Sequence, residues 1–267
     1  MEDPLTELPV SRARIDEEEE SRHRAEDAPV FAYLAPPPAS KAGVLETPIL
    51  LVACTPASCA LAHTLDTQVV GSIVLPEESM ARNGIRPSAA DNACHLLRVR
   101  GSEVVAAACQ YAVSPERAVA LARALLGSVS AERVVVAAEL PLVASRGLAA
   151  RPGQPESAGG AAFYEIRSAA EATAAGVHGE LPLLPAGELV GGVAAAVMSH
   201  CEMRGRRARA LVAAQPSPAL DARDVHALAT LLSAALGTAG SSAPAFDTGA
   251  AIASQRPRGT IAPSVYT

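Results

Sequence analysis

The chain has 267 residues, a formal charge of −6, 49% hydrophobic residues and only 3% aromatic ones, with no Trp. That length suits one large domain or two small ones, and the hydrophobic share excludes a wholly disordered chain. An acidic, aromatic-poor chain argues against nucleic-acid binding. No apolar run approaches the roughly 18 residues of a membrane span.

The charge is concentrated. Residues 1–27 hold ten acids, including the run Asp16 to Glu20, against four arginines, and the other 240 residues carry 18 acids and 18 bases. The acidic opening Met-Glu-Asp-Pro argues against a secretory signal or transit peptide. Residues 1–40 are therefore expected to form a disordered acidic tail, closed by the stiff spacer Ala35-Pro36-Pro37-Pro38. Five cysteines without a CxxC pair, and six scattered histidines, predict small buried thiols and no metal site. Reduced thiols point to the cytoplasm, and also to the nucleus.

In chain order, Pro48 to Cys54 is a continuous apolar run of strand length, as expected of a strand buried on both faces. Thr55-Pro56 starts a helix to about His63, and Gln68 to Leu75 reads as a strand. A loop rich in Pro, Asn, Gly and Ser fills 76–92. Cys94 to Arg100 and Glu103 to Tyr111 form a hairpin about Gly101-Ser102. Ser114-Pro115 opens a helix with apolar residues at Val119, Leu121, Leu125 and Leu126, and Arg133 to Ala138 is a buried-type strand. After a second loop around 144–160 come a short strand at Phe163 to Ile166 and a small-residue helix from Glu188 to Met203. A strand from Ala208 to Ala213 and a helix capped by Asp221 and running to Leu236 complete the pattern. Alternating strands and helices predict a layered α/β/α domain with a central mixed sheet. It spans 41–236, with a flexible C-terminal tail over 237–267.

Chemistry is sparse. The sequence has no nucleophile elbow, no P-loop and no dinucleotide fingerprint, and Lys41 is its only lysine. Gly187, Gly191 and Gly192 at a helix start suit close packing of helix on sheet; an anion cradle is the rival reading. His63, His95, His200 and His226 each accompany an apolar element and read as structural. Cys201 follows His200, but helix neighbours point about 100° apart, which sets no thiol–imidazole pair. No catalytic, cofactor-binding or metal-binding residue is assigned, and no enzyme activity is expected.

The final residues, Pro263-Ser264-Val265-Tyr266-Thr267, place one of only four tyrosines next to last in an otherwise aromatic-poor stretch. Hydrophobic–Tyr–any residue before a free carboxylate (HbYX) is the motif by which activators and chaperones dock on proteasome α-rings. Together with Leu181-Pro182-Leu183-Leu184-Pro185-Ala186-Gly187, which leads into the helix with Ala194-Ala195-Ala196, Ser199 and Cys201, this ending resembles the proteasome assembly chaperone 1 family. The order of the acidic tail, the strand at 48–54, the hairpin at 94–111 and the strand at 133–138 agrees with it. The resemblance covers roughly 45–236 plus the last three residues and is patchy at the two long loops.

That resemblance implies a non-enzymatic chaperone that pairs with proteasome assembly chaperone 2, a related fold. The heterodimer sits on the α-subunit ring, promotes its formation and keeps activators off until assembly ends. The residues carried over are Val265, Tyr266 and Thr267, as the contact to an α-ring pocket. Two rivals stand beside it: a small-molecule α/β enzyme handling nucleosides or phosphate, and a regulator that caps mature proteasomes. A neutral body rich in Ala and Val is expected to need a second subunit over an exposed apolar face.

Overall fold

Four strands that can be buried on both faces build the centre of the sheet. The computed structural model describes residues 29–34, 43–79, 83, 88, 91–111, 113–141, 160–175, 181–215, 220–237 and 243–254. Strands β2 (Leu45–Ala53), β5 (Val104–Cys109), β6 (Val129–Pro141) and β8 (Arg207–Gln215) lie parallel in the order β5-β2-β6-β8. Their runs are apolar on both faces, as a parallel sheet covered by helices requires. Antiparallel wings flank this centre. On one side β4 (Cys94–Val99), β3 (Thr67–Val74) and β1 (Phe31–Leu34) continue outward from β5; on the other, β7 (Ala162–Arg167) pairs with β8. The mixed sheet thus has the order β1-β3-β4-β5-β2-β6-β8-β7.

Pro48 sits inside the central strand β2 although it has no N–H to give. The pairing of β2 with β5 begins only at Ile49, and the Thr47 hydroxyl donates to the carbonyl of Glu103 at 2.7 Å. Alternation along β2 then divides the core. Leu50 and Val52 face a layer made by α2 (Pro115–Ser128) and α4 (Gly192–Met203). Ile49, Leu51 and Ala53 face α1 (Pro56–Ala62), α5 (Ala222–Leu236) and α6 (Thr248–Ser254). Each fully buried Leu, such as Leu50, Leu51, Leu121 or Leu232, contributes about 2 kcal/mol. The helix starts follow the sequence: Thr55 forms a capping box with Ser58, and the Asp221 carboxylate accepts the Asp224 N–H at 2.8 Å.

Three features depart from the sequence reading. The body begins inside the expected tail, because β1 pairs with β3 while Val30 and Leu34 pack on the core. Gly71 permits that pairing: a Cβ there would stand 2.6 Å from the Tyr33 carbonyl oxygen. The boundary at residue 40 is therefore corrected. The body also extends past Leu236, through α6, where Ala251 is fully buried and Phe246 packs against the same core. The boundary at 237 is corrected too; seven residues were too few to show a period. The third is α3 (Ala169–Ala175), unforeseen because AAEATAA has no apolar stripe. It is set by Ser168, whose hydroxyl accepts the Glu171 N–H, and by Glu171 itself, which meets Arg133 at 2.6 Å and Arg207 at 2.9 Å. The rest of both expected tails lies outside the described residues.

Candidate functional site

Ligands of open α/β sheets gather where parallel strands end, and a cleft of about 340 Å³ lies there. Its walls come from the ends of β2, β5 and β6 and from the start of α4, including Cys54, Cys109, Tyr111, Glu139, Gly191 and Gly192. The polar groups are already engaged. Cys54 donates its thiol proton to the Ala137 carbonyl, and burial pushes that thiol far above its ordinary range. Tyr111 donates its hydroxyl to Ile73, and burial pushes it up to about 12. Glu139 accepts from the Gln215 amide at 3.3 Å. Cys94 opposes Cys109 across β4 and β5; its hydrogen bond with Cys109, then burial, raises its thiol.

The three glycines are not where helix meets sheet. A Cβ on Gly187, Gly191 or Gly192 would meet nothing within 4 Å, so the packing reading is set aside. Gly187 and Gly192 instead occupy positive φ (95° and 60°), which delays α4 to residue 192 rather than the expected 188. The uncapped amino end of α4 opens on the cleft, but the charged side chain lining it is the carboxylate of Glu139. That charge opposes a bound phosphate.

A Ser–His–Asp chain that the sequence did not reveal lies on the β3–β4 wing. Ser72 Oγ is 3.1 Å from His95 Nδ1, and His95 Nε2 is 3.3 Å from Asp91 Oδ2. Ser72 and His95 are direct cross-strand partners, so pairing of β3 with β4 assembles them. Asp91 and His95, four residues apart, were the available signal. Catalytic use as a nucleophile needs donors for an oxyanion, yet residues 71–74 pair with β1 on one side and 71–73 with β4 on the other. Asp91 also accepts from the N–H and hydroxyl of Ser88, at 2.9 and 3.0 Å. The chain of contacts ties Ser88 and Asp91 to the sheet. His63 stacks edge-on to His95, and burial lowers its pKa while its bond to Gln110 opposes that. On α4, Cys201 is fully buried with its thiol pushed up to about 11 by that burial, whereas His200 has its pKa lowered by burial and then by the charges of Arg204, Arg206 and Arg123. The two do not form a catalytic pair. Among the described residues no three His, Cys, Asp or Glu gather as a metal would need, and no helix is long and apolar enough to cross a membrane.

Val265, Tyr266 and Thr267 lie outside the described residues. Their nearest described anchor is α6, ending at Ser254. Asp247 donates its N–H to the Thr64 hydroxyl and caps α6 through the Ala250 N–H, and the Ser233 hydroxyl donates to Pro244. On the opposite layer, Leu183, Leu189 and Met203 are 64, 83 and 77% exposed around α4. These are the most exposed large hydrophobic side chains among the described residues, and the sequence assigns them only to helix and loop.

No family model matches the sequence, and no curated protein matches it. Solved structures do. Pyrococcus furiosus PbaA, an archaeal homolog of proteasome-assembly chaperone, superposes with a TM-score of 0.57 at 16% identity, covering 80% of this chain and 84% of its own. Pyrococcus furiosus PbaB, an archaeal proteasome activator, gives 0.54 at 12% identity, covering 84% and 93%. A Thermoplasma acidophilum protein of unknown function gives 0.52 at 13% identity, covering 72% and 76%. At these identities the fold is what the chain has in common with them.

Proposed function

We propose that this protein is a non-enzymatic proteasome assembly chaperone. It pairs with a second α/β subunit of the proteasome assembly chaperone 2 type and sits on the α-subunit ring. There it promotes ring formation and keeps activators away until the core particle is complete. The observation that carries the reading is the fold likeness to PbaA across four fifths of both chains. The resemblance of residues 181–201 and of Val265-Tyr266-Thr267 to the proteasome assembly chaperone 1 family supports it.

In this reading Val265 buries its isopropyl group in an α-subunit pocket, Tyr266 packs its ring there, and a free carboxylate on Thr267 pairs with a lysine. The exposed leucines and Met203 around α4 give the second subunit its apolar surface. The cleft at the strand ends favours this over phosphate handling, since its charged lining is a carboxylate. The test is binding of the purified protein to α-rings. Tyr266→Ala, or one residue appended after Thr267, weakens it about 10-fold, on the order of 1.4 kcal/mol, and leaves subunit pairing intact. Equal affinities would reduce the terminal motif to coincidence.

A second reading, a regulator on mature core particles, is favoured by the likeness to PbaB, an archaeal proteasome activator. It requires faster peptide hydrolysis by mature proteasomes when the protein is added, which an assembly chaperone does not produce.

A further inference from the structure

Four of the five cysteines, Cys54, Cys59, Cys94 and Cys109, lie close enough together to feel one another's charge, and all carry thiols. Their hydrogen bonds sort them. Cys54 donates to the Ala137 carbonyl at 3.1 Å, on the β6 side, and Cys59 donates to the carbonyls of Ala53 and Cys109 from the α1 layer. Cys94 and Cys109 bond thiol to thiol within the opposite layer, beneath α2 and α4. They are direct cross-strand partners of β4 and β5. The neighbouring pair, Ala93 and Gln110, is joined by the Gln110 N–H to the Ala93 carbonyl at 2.9 Å. Hydrogen-bonded and non-hydrogen-bonded pairs alternate along an antiparallel ladder, so Cys94 and Cys109 hold a non-hydrogen-bonded site, where Cα atoms approach to about 4.5 Å. A disulfide needs Cα atoms roughly 4.4–6.8 Å apart. Side-chain rotation with little backbone movement can therefore close one. Access to the two thiols is unequal. Cys109 lines the cleft of about 340 Å³ at the strand ends, whereas Cys94 is fully buried and forms no part of its walls.

We infer that Cys94 and Cys109 are an oxidation site, a dithiol that a small peroxide entering the cleft converts to a cross-strand disulfide. Cys109 is struck first. Its sulfur attacks one oxygen of hydrogen peroxide, the O–O bond breaks, and a sulfenic acid and one water result. The Cys94 sulfur then attacks that of Cys109 and displaces the sulfenic oxygen as a second water. Two S–H bonds are lost, one S–S bond forms, and the peroxide takes up both electrons. The bridge ties β4 to β5 and removes the Cys109 thiol from the cleft wall. Its hydrogen bond with Cys109, then burial, holds Cys94 well above the ordinary thiol range, so closure is slow and the pair answers sustained oxidation, not a brief pulse. Cys54 shares the cleft, but its proton is held on Ala137 and burial raises its thiol far above the ordinary range. It stays reduced.

The experiment incubates the native full-length protein with hydrogen peroxide for several hours at pH 8, blocks the remaining thiols, and maps the digest by mass spectrometry. One peptide pair joined through Cys94 and Cys109 is expected, the count of five thiols falls by two, and dithiothreitol restores them. In Cys94→Ala no bridge forms and dimedone traps the sulfenic acid on Cys109; in Cys109→Ala, Cys94 keeps its thiol. Cys201, fully buried on α4 and absent from the cleft walls, is the internal control. Its oxidation at the rate of Cys109 would mean that the fold opens as a whole, and the cleft route is then refuted. Retention of all five thiols, or a bridge from Cys109 to Cys54, overturns the assignment. Should either variant fail to fold, the wild-type map alone decides.

Discussion

Replacing Glu171 with alanine is expected to lower stability by about 3 kcal/mol, because its carboxylate is the shared counter-charge of two arginines at the strand-start end of the sheet. Its side chain is 1% exposed, with Arg133 Nη2 at 2.6 Å and Arg207 Nε at 2.9 Å. Arg133 also donates from Nη1 to the Ala235 carbonyl at the end of α5, so one carboxylate links α3, β6, β8 and α5. Breaking a buried pair by removing one partner costs about 3–5 kcal/mol. The lower end applies, since Arg207 is 44% exposed and rehydrates, while Arg133, at 20%, does so poorly. For a body of this size each kcal/mol moves Tm by about 2–4 °C, which gives a fall of about 6–12 °C. Thermal unfolding followed by circular dichroism measures it. Replacing Arg133 with methionine as well should recover much of the loss, because the uncompensated guanidinium is then gone. A fall under about 2 °C in the single variant, or losses that simply add in the double, would refute this reasoning.

Three further outcomes are expected. His63 titrates lower in the folded protein than its ordinary value through burial; the unfolded chain takes up that proton first as pH falls. The stabilisation from neutral His63 is thus complete above about pH 6.5 and lost below it, and His63→Gln should lose less Tm than wild type between pH 7 and 5.5. Raised thiols at Cys54, Cys94 and Cys201 should react slowly with a disulfide reagent at pH 8, whereas all five cysteines react at once in denaturant; fast native labelling of several thiols would contradict their burial. Leu189→Glu with Met203→Glu should abolish pairing with the second subunit and make the chain alone more soluble. A wild-type chain already monomeric at micromolar concentration by gel filtration would count against that surface.

What could be read from the sequence was what short-range periodicity encodes. The buried strand at Pro48 to Cys54, the Thr55-Pro56 helix start, the hairpin about Gly101-Ser102 and the Asp221 cap all rest on neighbouring residues, and the structure has them. What it hid depends on pairing at a distance. β1 is a strand because Gly71 lets a second chain segment approach, and α6 is part of the body because Phe246 and Ala251 find a core built by α1 and α5. The Ser72–His95 contact exists only once β3 and β4 are in register. Gly187 and Gly192 are visible in the sequence, but the reason for them is backbone conformation and not packing.

The central claim, that this chain chaperones proteasome assembly, is tested most directly by isolating it from its native source at its natural level and identifying what comes with it. Assembly chaperoning requires α-subunits without a complete set of β-subunits, together with one further α/β subunit in equal amount. Recovery with mature core particles would move the protein to the regulator class, and a preparation free of proteasome subunits would contradict the claim outright.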